Sequence, residues 1–218
     1  MTINFLGISL FEIIAKTESK NLVQIVIDPF NEKLGLKVPR LKAQVLLVSH
    51  PHEDHANVKA VGGSPFLIEG PGEYETHEIF IKGIPAFHDN QEGKNRGLVT
   101  IYKIEAEGMN VCHLSDFGQK ELTSEQLEKI GEVDILMIPV GGNYTIGPKE
   151  AATIVSQVEP KVVIPMHYKL PGLKLDIEGV DKFLKIMGQE AVAIEPKLKV
   201  SLKDLPQEET KIVVLAVS

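Results

Sequence analysis

Short apolar runs separated by Gly, Pro, Asn and Asp dominate the first half of the chain, and runs of this length bounded by turn residues predict strands. Residues 3–7 and 10–16 predict two strands around a glycine turn. Residues 22–30 predict a third, closed by Asp28-Pro29, and Val45-Leu46-Leu47-Val48 a fourth that reads as buried on both faces. A helical turn and loop follow over 57–63, a strand over 66–69, and a turn-rich corner over 70–75. Extended runs at 79–84 and 86–87 end at His88-Asp89. Residues 98–104 and 109–114 then form a hairpin about Glu107-Gly108.

The second half changes period. Thr123-x-x-Gln126 has the form of a capping box, and that helix stops at Gly131. Strand 135–140 leads to Gly141-Gly142. Pro148 opens a helix bounded by Pro160, and strand 162–166 ends at His167-Tyr168. Val180, Phe183, Leu184 and Met187 have helical spacing before Gly188, and strands at 191–194, 198–202 and 211–217 close the chain. Strands first and strand–helix units afterwards, with no long linker or repeat, predict one α/β (α+β) domain over residues 1–218. Its architecture is an αββα sandwich of two mixed β-sheets with helices on the outer faces.

Composition narrows the function. Formal net charge is −7 with no basic run, which reads against a large nucleic-acid footprint. The single cysteine, Cys112, lies in an apolar run and reads as an inert buried thiol in a reducing compartment. No stretch reaches the ~20 apolar residues of a membrane span. Glu12 interrupts the N-terminal apolar residues and no cleavage site follows, so the expectation is a cytoplasmic protein, with homo-oligomerisation left open.

The chemistry concentrates in one loop. His50-Pro51-His52-Glu53-Asp54-His55 puts three histidines and two carboxylates in six residues directly after a buried strand. Neutral imidazole and carboxylate oxygen are ligands that divalent metals such as zinc accept. His50-x-His52-x-Asp54-His55 after such a strand resembles the metal loop of the metallo-β-lactamase superfamily. His88, Asp116 and His167, each at a strand end beside a polar or glycine-containing loop, match its remaining ligands in order. Residues 113–118, 139–142 and 165–168 look like the branch containing ascorbate-6-phosphate lactonase, and the resemblance covers essentially the whole chain.

The resemblance implies that His50, His52 and His88 hold one metal, that Asp54, His55 and His167 hold a second, and that Asp116 bridges. Zinc is the first expectation for both ions, with manganese or iron as alternatives. It also gives Asp28 a bracing role behind the metal loop, beside its plain reading as a turn-former before Pro29. Two positions depart from the pattern: Ile8 stands where relatives often carry histidine, and Ser115 replaces a glycine. His113, three residues from Asp116, reads as packed, since an extended strand turns the two to opposite faces. His77 reads as a surface residue. Asn143, Tyr144 and Tyr168 are candidate pocket residues beside presumed ligands.

Two ions about 3.5–4 Å apart lower the pKa of a shared water toward neutral. The expected enzyme is therefore a binuclear metal-dependent hydrolase in which a metal-held hydroxide attacks an ester, lactone or phosphate-containing small substrate. Asp54 would orient the hydroxide and take its proton. The alternatives are a phosphodiesterase or nuclease of the same fold, or an iron-dependent redox member. Histidine at position 52, in place of a carboxylate, reads against the last.

Overall fold

The computed structural model describes residues 1–189 and 192–218. Among the described residues two large mixed sheets carry most of the chain, with two further two-stranded pairs beside them. The first runs in the order Leu198–Lys199, Thr2–Gly7, Leu10–Lys16, Leu22–Ile27, Val45–Val48, Phe66–Glu69. The second runs Lys211–Ile212, Val162–Met166, Ile135–Pro139, Met109–His113, Leu98–Ala106, Ile79–Phe87, Gly72–Thr76.

Each sheet has an antiparallel and a parallel part, and the parallel strands carry the most apolar sequences. Val45–Val48, Ile135–Pro139 and Val162–Met166 are buried at every position, as strands covered on both faces must be. Residues from both sheets form one hydrophobic core. Tyr102 pins the sheets together, its hydroxyl lying 2.8 Å from the Val48 carbonyl oxygen and 3.2 Å from that of Ile68. The Thr100 amide adds a bond to the Ser49 carbonyl at 3.0 Å.

Among the described residues three short α-helices flank the sheets. α1 (Ser124–Ile130) has the predicted capping box, with Thr123 accepting from the Gln126 amide, and ends at Gly131. Gln126 Nε2 also donates to the Pro85 carbonyl at 3.1 Å, fixing α1 to strand Ile79–Phe87. α2 (Pro148–Val158) starts at its proline as expected, and α3 (Asp181–Ile186) packs beside it.

Some element limits differ from the sequence reading. The expected corner at 70–75 is in large part an edge strand, Gly72–Thr76, joined to Ile79–Phe87 by His77-Glu78 with φ of 51° and 60°. Its alternating exposure is that of a strand with one free face, which the Gly-Pro-Gly start obscures in sequence. The expected strand at 191–194 begins outside the described residues, and Ile194–Glu195 pairs with Val214–Leu215. Residues 211–217 hold two two-residue strands, Lys211–Ile212 and Val214–Leu215, in place of one long one.

The C-terminal ends of the parallel strands in both sheets meet at one edge. Asp28 follows Ile27, Ser49 and His50 follow Val48, Ser115 and Asp116 follow His113, and His167 follows Met166. Glycines let these ends close on one another. At Gly118 a Cβ would run into the His88 and Asp89 backbone, and at Gly141 into the His167 carbonyl.

Candidate metal centre

Seven side chains converge at that edge in two groups. His50, His52 and His88 form one, and Asp54, His55, Asp116 and His167 the other, with the donor atoms of each group within 4.8 Å of one another. These are the seven residues expected from the sequence. His52 is the least buried of the first group and Asp54 of the second, so the centre opens on that side.

Asp116 joins the groups. Its Oδ2 lies 3.4 Å from His88 Nε2 and 3.4 Å from His167 Nε2, and its Oδ1 lies 3.1 Å from His55 Nε2. Burial alone would raise the Asp116 pKa, but His167, His55 and His50 around it hold the carboxyl well below its ordinary value. Asp54 behaves alike. Burial opposes ionisation there too, yet His55 beside it brings the carboxyl to about 2, so it is ionised at neutral pH.

Behind the loop stands Asp28, fully buried and at φ 50°. It accepts from the Ser49 amide at 2.8 Å, Ser49 Oγ at 2.7 Å, His55 Nδ1 at 3.0 Å and Ser115 Oγ at 3.0 Å. It is both turn residue and brace: its carboxylate accepts a hydrogen bond from His55 Nδ1–H and so aims His55 Nε2 at the centre. Ser49 Oγ also lies 2.9 Å from His50 Nδ1, which leaves His50 Nε2 facing inward. Burial and the neighbouring His55 push His50 down to about 3, and burial lowers His88 as well, so both are neutral imidazoles at pH 7.

The other sequence candidates lie elsewhere. His113 belongs to neither group: its Nε2 meets the Ser9 carbonyl at 3.0 Å and its Nδ1 accepts the Ser115 amide at 3.2 Å. The separation from Asp116 does not come from strand alternation, because the strand ends at His113 and Ser115 turns left-handed at φ 51°. His77 is an exposed turn residue. The Asn143 side chain is occupied by the Asp176 carbonyl at 2.7 Å, Tyr144 lies under Arg96, and Tyr168 packs 6.0 Å from Phe5, its hydroxyl pushed up to about 12 by burial. Cys112 is buried and pushed up to about 12, an inert thiol. Sequence reasoning missed Ser49, although its place between the buried strand and His50 was a signal.

The β-lactamase superfamily domain matches residues 2–167. A UPF0173 metal-dependent hydrolase of Thermococcus onnurineus is 31% identical over 223 residues, spanning 88% of this chain and 94% of the relative. The chain belongs to the metallo-β-lactamase superfamily. It is a metal-dependent hydrolase with that superfamily's fold. A UPF0173 metal-dependent hydrolase of Symbiobacterium thermophilum is 32% identical over 82% of this chain and 89% of its own length. A candidate zinc-dependent hydrolase of the superfamily from Thermotoga maritima is 36% identical, with a TM-score of 0.77 over 98% of this chain and 97% of the other.

The donor set of this superfamily member fits divalent metal on its own chemistry. His50 Nε2, His55 Nε2, His88 Nδ1 and both ring nitrogens of His167 are buried with no hydrogen-bond partner. Unpaired buried polar atoms cost free energy, and a cluster of them on imidazoles facing carboxylates is what ligation would satisfy. His55 Nε2 lies 3.1 Å from Asp116 and 3.5 Å from Asp54 without an aligned hydrogen bond, so none of these contacts satisfies it.

Proposed function

We propose that this hydrolase is binuclear and cleaves small substrates bearing an ester, lactone or phosphoryl group. Asp116 supports this reading most directly, because a single carboxylate oxygen faces one histidine from each donor group. His50, His52 and His88 would hold one ion, Asp54, His55 and His167 the other, and Asp116 would bridge. Zinc suits this borderline nitrogen–oxygen set, with manganese or iron as alternatives. When bound, such ions supply Lewis acidity and bring the pKa of water toward neutral.

The chain supplies the rest. Asp28 holds His55 in one tautomer, and Ser49 does the same for His50. Asp54, ionised and partly open to solvent, accepts a hydrogen bond from the attacking water and fixes its direction. A carboxylate held near 2 is a weak base, so its main contribution is orientation, with the proton passing through Oδ on its way to the leaving group. The acidic chain, with no basic run, disfavours long nucleic acids. One domain over 1–218 in a reducing, cytoplasmic setting completes the reading.

The test is metal analysis with a substrate panel. Two metal equivalents and chelator-sensitive cleavage of lactones over bis-p-nitrophenyl phosphate and nitrocefin are expected. One equivalent at full activity would sink the binuclear reading, and cleavage of the phosphodiester alone would replace the lactonase-like substrate by a nuclease-like one.

A further inference from the structure

The loop at 89–97 leaves ligand His88 and returns to it, the His88 amide bonding the Gly97 carbonyl at 3.0 Å. It is built around the Asp89 carboxylate, itself mostly buried. Asp89 accepts from the amides of Gln91 at 2.8 Å, Gly93 at 3.0 Å, Asn95 at 2.9 Å and Arg96 at 2.7 Å. Four backbone donors on one carboxylate fix the loop's path, and with it the backbone of Arg96, one residue from the carbonyl that holds His88.

Arg96 is one of two arginines in the chain. Its guanidinium carbon stands 4.9 Å from the centre of the Tyr144 ring, and Nη2 reaches the Asn143 carbonyl at 3.4 Å. Among the described residues no carboxylate lies within ion-pair distance of it. Its neighbour Lys94 is matched by Glu92 at 3.9 Å. Tyr144 in turn sits on the loop after Gly141, which packs on the His167 carbonyl, and Ile146 donates to the Phe117 carbonyl at 3.0 Å. Arg96 therefore spans the two loops that leave His88 and that brace Asp116 and His167. An aromatic face and a backbone carbonyl orient its plane while leaving most of its five N–H donors free.

We infer that Arg96 is a specificity residue that binds an oxyanionic group of the substrate, a carboxylate or a phosphate remote from the bond being cleaved. This rests on the proposed small-substrate hydrolase. A planar fork aimed by stacking suits bidentate contact with either oxyanion, and in a chain of net charge −7 a half-buried cation on the loop that follows His88, with no carboxylate at ion-pair distance among the described residues, has a specific use.

The metal-loaded protein is titrated calorimetrically with succinate and, separately, with inorganic phosphate, and compared with Arg96→Gln, Arg96→Lys and Lys94→Gln. A charge-assisted contact predicts a loss of about 10–100-fold in affinity for Arg96→Gln, a smaller loss for Arg96→Lys, and none for Lys94→Gln. The anion with the larger Arg96-dependent loss identifies the group recognised. In parallel, Arg96→Gln should raise KM for the p-nitrophenyl hemiester of succinic acid and leave KM for neutral p-nitrophenyl butyrate, metal content and melting temperature unchanged. Equal effects on both esters, anion binding indifferent to Arg96, or no anion binding at all would overturn the assignment. Arg96-dependent anion binding with neither ester cleaved would keep the subsite and count against the ester-cleaving reading instead.

Discussion

His88 and His167 come from different donor groups, yet their Nε2 atoms each lie 3.4 Å from the same oxygen, Oδ2 of Asp116. A group so placed cannot be removed without affecting both halves of the centre. Asp116→Ala is expected to lose at least one metal equivalent and nearly all turnover while keeping the fold, since both sheet cores are untouched. Asp116→Asn should keep the shape and bind metal more weakly, because a neutral amide offsets less cationic charge. Metal analysis beside circular dichroism decides it: full metal content in Asp116→Ala would show that Asp116 does not bridge.

His113 sits close by and should behave differently. Both ring nitrogens are used internally, on the Ser9 carbonyl and the Ser115 amide, and the ring stands edge-on to Phe11 at 5.7 Å. His113→Ala would strand two buried backbone groups and open a cavity, for a destabilisation of about 3–5 kcal/mol. Metal content and kcat should stay near wild type at temperatures where the variant is folded. Loss of metal without loss of stability would move His113 into the ligand set.

How much of this was legible in the sequence depended on range. The loop 50–55 carries its chemistry in consecutive residues, and His88, Asp116 and His167 each follow a predictable strand, so the seven side chains that the fold brings together could be named from the sequence. The capping box at Thr123 and the proline start of α2 were local signals too. What stayed hidden is non-local. Asp28 and Ser115 meet from opposite sheets, 87 positions apart, and nothing in either run announces it. The Arg96–Tyr144 stack depends on two loop paths, one wound about Asp89, that no periodicity encodes.

Ser115 occupies a left-handed backbone position, φ 51°, where the superfamily resemblance expects glycine. A non-glycine residue there costs about 1–2 kcal/mol, and the Ser115 hydroxyl offsets it by donating to Asp28 at 3.0 Å and contacting Ser49 Oγ. Ser115→Gly removes strain and bond together and should destabilise by no more than about 1 kcal/mol. Ser115→Ala keeps the strain and loses the bond, so it should be the worse of the two by about 1 kcal/mol. Denaturant unfolding of both variants ranks them, and an alanine variant as stable as the glycine one would mean that the left-handed turn carries no strain.

Asp28 and His55 give the centre a pH dependence whose sign can be worked out. In the metal-free protein burial would lower the His55 pKa, but Asp116 and Asp28 on either side raise it well above the ordinary value. Because the folded value is the raised one, the stabilisation from this proton is fully present below about 6.5 and is lost as pH rises through the raised value. A metal held at His55 Nε2, as proposed, would displace that proton, so affinity should rise with pH, up to about tenfold per unit for one proton released. His50, held at about 3, and His88, also lowered, are already neutral and add nothing to the slope. Zinc titrations at pH 7.5 in buffers of different ionisation enthalpy count the protons. Asp28→Asn removes one of the two carboxylates that hold the His55 proton, so it should release fewer protons and bind zinc about 10–100-fold more weakly. If proton release is unchanged in Asp28→Asn while affinity falls, Asp28 acts only by aiming the ring, and the pH dependence must arise from another ligand.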